Sequence, residues 1–212
     1  MEATITDRAG TLAQQKRDLT VDAILRAARR GMDEYGLDVT VETIAELADV
    51  GRRTVFRYFA TRDDLLSEAI TATAAEVFTI LPRYDGGDWQ AWLDELTQVL
   101  HDSVAGGGRK MWELKTRRLP PQLAVTYERL RQALREMYAA TAATLWEAAG
   151  GRGAAPDRLR LSVATHLSPM FTQAVLLDAD GTPELAAQLA ASGITATLRE
   201  LLAGPSAASG MD

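Results

Sequence analysis

The apolar residues of this 212-residue chain recur at helical spacing through most of its length. Between Thr20 and Tyr35 they lie three and four positions apart, which places them on one face of an α-helix. Gly36 follows this stretch as a candidate C-cap. The residues of the apolar face are Val21, Ile24, Leu25, Ala28, Met32 and Tyr35. Because no stretch alternates apolar and polar residues as a half-buried strand does, the pattern predicts an all-α fold.

Two short helices separated by a tight turn are predicted between Thr40 and Phe59. Thr40 is a candidate N-cap for the first of them. The apolar face of that helix consists of Ile44, Ala45, Leu47 and Ala48. Asp49 occupies a turn position that usually needs a left-handed backbone, where Asp is tolerated in place of Gly. The second helix begins at Arg52 and turns Val55 and Phe59 inward. This is the helix-turn-helix layout, whose second helix lies in the major groove of DNA.

The second of these helices is strongly basic. No acidic residue occurs from Val50 to Thr61, and arginine both neutralises phosphates and reads guanine bidentately. A solvated basic helix end is the alternative explanation, but four arginines on a helix-turn-helix scaffold favour DNA binding. The predicted DNA-contacting residues are Thr40, Arg52, Arg53, Thr54, Phe56, Arg57, Tyr58 and Arg62. Lys16 and Arg17, ahead of the first helix, are equally consistent with phosphate or minor-groove contacts and with a solvated tail.

Residues from about Asp22 to Ile70 resemble the DNA-binding domain of TetR-family transcriptional regulators. The matching positions are Ala27, Ala28, Tyr35, Gly36, Thr40, Val41, Ile44, Ala45, Ala48, Val50, Thr54, Phe59, Leu65 and Leu66. The resemblance implies an N-terminal three-helix DNA-binding domain followed by a larger helical domain for effector binding and dimerisation.

The sequence also departs from the commonest pattern of that family. Asp49 stands for the turn Gly, Gly51 for a frequent Ser, and Phe56 for a Tyr whose hydroxyl typically meets a phosphate. Arg62 replaces a phosphate-binding Lys and keeps its charge. Arg53 stands where the family often has Gly, so we expect a side chain to reach bases at that point.

The rest of the chain also has helical periodicity. Further helices are predicted over residues 62–81, 89–104, 110–118, 121–149, 156–177 and 182–203. Pro169 is expected to kink the helix that contains it near Thr165. The expected domains are a flexible N-terminal arm (1–16), the helix-turn-helix domain (17–62), an effector-binding and dimerisation domain (63–203) and a disordered tail (204–212).

Composition narrows the class of protein. The chain has a net charge of −6, no cysteine and two histidines, which excludes a disulfide scaffold and a Cys-based zinc site. Neither a signal peptide nor a long apolar run is present, so we expect a cytoplasmic protein that does not enter a membrane. No catalytic or nucleotide-binding motif occurs, and the sequence therefore predicts no enzyme activity, no cofactor and no metal site.

The C-terminal helices are unusually poor in charge. Residues 182–203 carry six Leu and Ile side chains and three charged ones, which is typical of a helix with a partner. Packing within one subunit is the alternative. The family resemblance favours a homodimer through helices 156–177 and 182–203. Two DNA-binding heads, spaced about one helical turn of DNA apart (roughly 34–36 Å), then read a palindromic operator.

Large aromatic and Met residues populate the middle helices, among them Phe78, Trp92, His101 and Met137. Ordinary core packing accounts for most of them, whereas an adaptable apolar ligand cavity is the functional alternative. The residues predicted to line such a cavity are Trp112, Tyr127, His166, Met170 and Phe171.

These patterns predict a homodimeric, ligand-responsive repressor that a largely apolar small molecule releases from its operator. The alternative is a DNA-binding regulator whose C-terminal domain only dimerises or binds a protein. A helical enzyme with a vestigial DNA-binding head is the remaining rival, and it lacks a polar catalytic cluster in the sequence.

Overall fold

The computed structural model describes residues 2–204, with side chains from residue 12 onward. Within that range the chain is helical and contains no strand, which confirms the all-α prediction. The helices are α1 (Glu2–Tyr35), α2 (Val41–Leu47), α3 (Arg52–Tyr58), α4 (Arg62–Ile80), α5 (Trp89–Val104), α6 (Gly108–Thr116), α7 (Pro121–Ala148), α8 (Asp157–His166), α9 (Pro169–Gln173) and α10 (Pro183–Ala203). Short 3₁₀ turns at Gly36–Asp38 and Ala105–Gly107 and a π-helical turn at Ala174–Asp178 join some of them.

The first helix is much longer than predicted. We expected a flexible arm over residues 1–16 and a helix from Thr20, whereas α1 already begins at Glu2. Residues 12–19 contain neither Gly nor Pro and consist mainly of good helix formers. Gln14 Nε2 also donates to Asp18 Oδ1 at 2.8 Å, one helical turn away. All eight of these side chains are exposed, so the apolar periodicity that marks a buried helix is missing there.

Two compact units divide the chain. The first comprises the residues up to Ala75 together with Trp112–Tyr127, and the second comprises Glu76–Met111 and the residues from Glu128 onward. The first unit therefore extends beyond the predicted boundary at residue 62, because Leu65, Leu66 and Ala69 of α4 are buried. Of the predicted tail, residues 205–212 lie outside the described residues.

Local side-chain bonds fix the ends of the helices in the first unit. Thr40 Oγ1 accepts from the Thr43 N–H at 3.1 Å, which confirms Thr40 as the N-cap of α2. At the start of α4, the Asp64 N–H donates to Thr61 Oγ1 and the Thr61 N–H donates to Asp64 Oδ2, each at 3.1 Å. Reciprocal bonds of this kind satisfy two backbone donors at once.

Four helices of the second unit, α5, α7, α8 and α10, share one apolar core. Its buried residues are Leu93, Leu96, Leu100, Ala142, Leu145, Trp146, Leu159, Val163, Leu167, Ala191, Ile194 and Leu198. Thr182 caps α10 and Pro183 takes its first position, as the sequence predicted. No helix of residues 2–204 has both the length and the apolar character needed to cross a membrane.

The helix that was predicted to kink near Pro169 is interrupted completely. Instead of one helix over 156–177, α8 ends at His166 and α9 begins at Pro169. Proline is well tolerated at a first helical position, because the N–H that it lacks has no partner there. Ser168 completes the new start by accepting from the Met170 N–H at 3.2 Å. The interruption places His166 at the last position of α8 and Ser168 at the N-cap of α9.

Candidate nucleic-acid interface

The turn between α2 and α3 has the geometry that the sequence predicted. Asp49 adopts a φ of 53°, in the left-handed region. The Val50 N–H donates to the Ala45 carbonyl at 3.0 Å and closes the turn. Val55 and Phe59 are buried, which anchors α3 against the head. These side chains point inward, whereas Arg52, Arg53 and Arg57 of the same helix are exposed.

Arg52 and Arg53 are both exposed, but their surroundings differ. Arg52 forms an ion pair with Glu42 of α2 at 2.6 Å, and its guanidinium lies 5.7 Å from the centre of the Phe56 ring. Arg53 has no ion-pair partner among the residues that the structure describes. Glu42 thus offsets part of the charge of Arg52, whereas Arg53 presents its full charge to an approaching anion.

Arg57 and Tyr58 form a second pair at the end of α3. The Arg57 guanidinium lies 4.8 Å from the centre of the Tyr58 ring and donates to the Tyr58 hydroxyl at 3.0 Å. A cation over an aromatic ring is held electrostatically without being neutralised. The pair therefore presents a positioned positive charge.

Arg62, another of the predicted DNA-contacting residues, lies against the connection between α1 and α2. Its guanidinium donates to the Val39 carbonyl at 2.7 Å and also to the Leu37 carbonyl, and it pairs with Asp63 at 3.1 Å. The connection between α1 and α2 leaves these carbonyls without helical partners, and such groups need a donor. Arg62 thus binds the connection between α1 and α2, and its contact with DNA stays a prediction.

Glu113 and Arg117 of the first unit also bind the connection between α1 and α2. Neither residue was singled out from the sequence. Glu113 Oε2 accepts from the Leu37 N–H at 2.6 Å. Arg117 donates to both carboxylate oxygens of Asp38, at 2.9 and 3.0 Å, and to Glu113 at 3.1 Å. We call Glu113 and Arg117 the α6 clamp. Gly36 is the sequence feature that is related to the clamp. Its φ of +73° lets the backbone turn close to the Glu113 carboxylate.

The residues predicted to line an effector site fall into both units. Trp112 and Tyr127 belong to the first unit, where 58% of Trp112 is exposed. In the second unit the Phe171 ring lies 5.2 Å from the His166 ring, with Met170 half-buried beside it in sequence. The membership of all five residues in an effector site stays a prediction.

His101 joins the cluster around Phe171. Its ring centre lies 5.9 Å from that of Phe171, and its Nδ1 lies 2.7 Å from Thr172 Oγ1. His101 is fully buried, and its Nε2 has no hydrogen-bond partner among the residues that the structure describes. Burial lowers the pKa of His101 from 6.5 to about 4, because the charged form is poorly solvated there. At neutral pH the imidazole is therefore uncharged.

A groove of about 680 Å³ opens elsewhere in the second unit, between the end of α4, the start of α5 and the end of α7. Its walls include Phe78, Trp92 and Met137. Trp92 is fixed by a 3.0 Å bond from its Nε1 to the Pro82 carbonyl, and the Tyr84 ring lies 5.3 Å from it. Arg83, Thr141, Thr144 and Glu147 also line the groove, so it combines apolar walls, which suit an apolar ligand, with polar and charged groups. Within residues 2–204, no group of three or more His, Cys, Asp and Glu side chains is placed to hold a metal ion.

A helix-turn-helix with an arginine-rich second helix, followed by a larger helical unit, defines the class of DNA-binding transcriptional regulators. Residues 24–69 match the family described as bacterial regulatory proteins, tetR family. The amino-terminal domain is thus a TetR-family DNA-binding domain. No curated protein sequence matches the chain significantly.

Solved structures with the same fold extend over most of the chain. A TetR-family transcriptional regulator from Rhodococcus sp. is 19% identical with a TM-score of 0.66, over 84% of this chain and 98% of that one. One from Mesorhizobium loti is 20% identical with a TM-score of 0.60, over 87% and 97%. The regulator FadR from Bacillus subtilis, solved in complex with stearoyl-CoA, is 14% identical with a TM-score of 0.61, over 83% and 96%. At these identities the likeness establishes a TetR-like fold.

Proposed function

We propose that this protein is a sequence-specific transcriptional repressor that binds a palindromic operator as a homodimer. The observation that carries this proposal is the exposed row of Arg52, Arg53 and Arg57 on a helix whose other face is buried. An α-helix fits the major groove of DNA, and arginine is the residue that most often reads guanine there. Phosphate contacts set the register of the helix on the duplex.

A homodimer accounts for the apolar surface of the second unit. Leu161 of α8 is 68% exposed, and Leu185 and Leu189 of α10 are 42% and 47% exposed. Leucine side chains on two adjoining helices are costly to leave in water. Pairing α8 and α10 with the same helices of a second copy removes them from water and supplies the second DNA-binding head that a palindrome requires.

The effector that we propose is a largely apolar small molecule bound in the second unit. The open groove beside Phe78, Trp92 and Met137 offers apolar walls, and the structurally similar FadR was solved with stearoyl-CoA. A long acyl chain is therefore the first chemistry to test. Binding shifts the protein only by the difference between its affinities for the DNA-competent and DNA-incompetent states.

The α6 clamp offers a route for that shift. Helix α6 runs from Gly108 to Thr116, and the boundary between the two units falls inside it, after Met111. Its last turns carry Glu113, which holds Leu37 just ahead of α2. We propose that effector binding displaces α6, weakens this bond and lets α2 and α3 leave the orientation that matches the operator.

Selection from a random duplex pool at near-physiological salt tests the proposal. Enrichment of an inverted repeat supports a dimeric, sequence-specific reader and yields the operator. Binding without enrichment of any sequence contradicts sequence-specific function. With the operator available, stearoyl-CoA is titrated against the complex and acetyl-CoA serves as the short-chain control. Release by neither molecule argues against a long-chain acyl effector and favours a regulator that only dimerises or binds a protein.

A further inference from the structure

Arg17, in the amino-terminal half of α1, lies beside the end of the recognition helix. The guanidinium of Arg17 lies 5.8 Å from the centre of the Tyr58 ring, at the end of α3. This is the same ring that Arg57 contacts at 4.8 Å. The sequence predicted a flexible arm over residues 1–16 and a first helix from Thr20, so the position of Arg17 beside Tyr58 follows only from the continuous helix.

The two arginines form an unneutralised cluster. Neither Arg17 nor Arg57 has a carboxylate partner among the residues that the structure describes. Like charges held around one ring repel each other, and an aromatic face compensates only weakly at an exposed site. An anion placed between them relieves that repulsion, and a DNA backbone carries an anion on every nucleotide.

We propose that Arg17 is a DNA-binding residue that contacts a backbone phosphate beside the one engaged by Arg57, so that the part of α1 around Arg17 belongs to the DNA interface. This proposal rests on the proposed function of α3. Arg17 is expected to add affinity and not sequence preference, because a phosphate contact carries no base information. The Tyr58 ring contacts both guanidiniums.

The chain offers a matched control for this proposal. Arg26 is also an exposed arginine of α1 without an ion-pair partner among the described residues. It follows Arg17 by nine positions, and at about 100° per residue it faces the opposite side of the helix. Arg17→Gln and Arg26→Gln therefore remove the same charge from the same helix on different faces.

Fluorescence anisotropy measures equilibrium binding over a range of salt concentrations. The DNA is one defined duplex of random sequence and, if selection yields one, the operator. We expect Arg17→Gln to weaken binding to every duplex by the same factor, about three- to tenfold, and to reduce the slope of log affinity against log salt by about one. Arg26→Gln should leave both unchanged, and Arg17→Lys should restore the slope. Melting of the DNA-free variants checks that each is folded.

Duplexes with single neutral methylphosphonates locate the contact. At one backbone position, neutralisation should weaken the wild-type protein but not Arg17→Gln. Equal behaviour of Arg17→Gln and Arg26→Gln, with the wild-type protein binding DNA, overturns the role of Arg17 and leaves the proposed function standing. Absence of any salt-dependent binding by the wild-type protein overturns both.

Discussion

The backbone N–H of Leu37 donates a 2.6 Å hydrogen bond to Oε2 of Glu113, which lies 76 residues further along the chain. The side chain of Glu113 is only 13% exposed, so few water molecules are available to replace the bond. The contact joins α6 to the short segment that sets the start of α2. It is therefore both a structural bond of the first unit and the proposed route of regulation.

Loss of this carboxylate should destabilise the protein. In Glu113→Ala the N–H of Leu37 is left largely buried without an acceptor, which costs about 1–3 kcal/mol of the free energy of unfolding. Denaturant unfolding of the DNA-free protein measures this loss. Glu128→Ala is the control, because Glu128 also pairs with arginines but is 56% exposed, and exposed ion pairs contribute about 0–1 kcal/mol. Equal losses in the two variants would show that the bond to Leu37 contributes nothing special.

A side chain at Gly36 should destabilise the protein. A Cβ at this position lies 2.5 Å from Oε1 of Glu113 and would require a φ of +73°. Backbone strain alone costs about 1–2 kcal/mol, and displacement of Glu113 adds the loss of its bond to Leu37. Gly153 has a φ of +72° with open space around it, so Gly153→Ala reports the strain alone. We expect Gly36→Ala to lower the free energy of unfolding more than Gly153→Ala does, and a smaller loss would refute the close approach of Glu113.

The two arginines at the start of α3 should respond differently to substitution. If Arg53 reads a guanine, Arg53→Ala lowers operator affinity by about 1–3 kcal/mol and relaxes specificity at one base pair. Arg52→Ala should also lower operator affinity, but by less, because wild-type Arg52 must first break its ion pair with Glu42 in order to bind DNA. Glu42→Gln should raise operator affinity, since it removes both that ion pair and a negative charge near DNA.

Anisotropy titrations against the operator and its single-base variants measure these effects. A uniform loss on all sequences would make Arg52 or Arg53 a phosphate contact. An unchanged affinity in Glu42→Gln would contradict the idea that Glu42 weakens DNA binding.

The buried imidazole should make stability depend on pH. Burial lowers the pKa of His101 from 6.5 to about 4, so the unfolded chain takes up a proton at a higher pH than the folded protein does. The contribution of neutral His101 is therefore fully present above about pH 6.5 and is lost as the pH falls toward 4, by as much as about 3 kcal/mol. Unfolding measured from pH 7.5 to 4.5 should show a shallower decline in His101→Gln than in the wild type. His166→Gln, which replaces the other histidine, should retain the His101 contribution, and parallel curves for wild type and His101→Gln would contradict the effect of burial.

The sequence alone determined the helix-turn-helix and most helix boundaries. The caps at Thr40 and Thr182 and the left-handed turn at Asp49 depend on bonds and backbone preferences within about four residues, which a sequence displays directly. The inward positions of Val55 and Phe59 follow from helical spacing in the same way. The family resemblance rests on these local features, and the match over residues 24–69 confirms it.

Only the tertiary structure decided which distant residues meet. Glu113 with Leu37, Arg62 with the carbonyls of Leu37 and Val39, and His101 with Thr172 are pairs separated by 23 to 76 residues. Nothing in their spacing marks them, because packing of whole helices sets such distances. The extended start of α1 was not predicted from the sequence for a related reason. Its exposed side chains lack apolar periodicity, and its meeting with Tyr58 depends on where α1 and α3 pack.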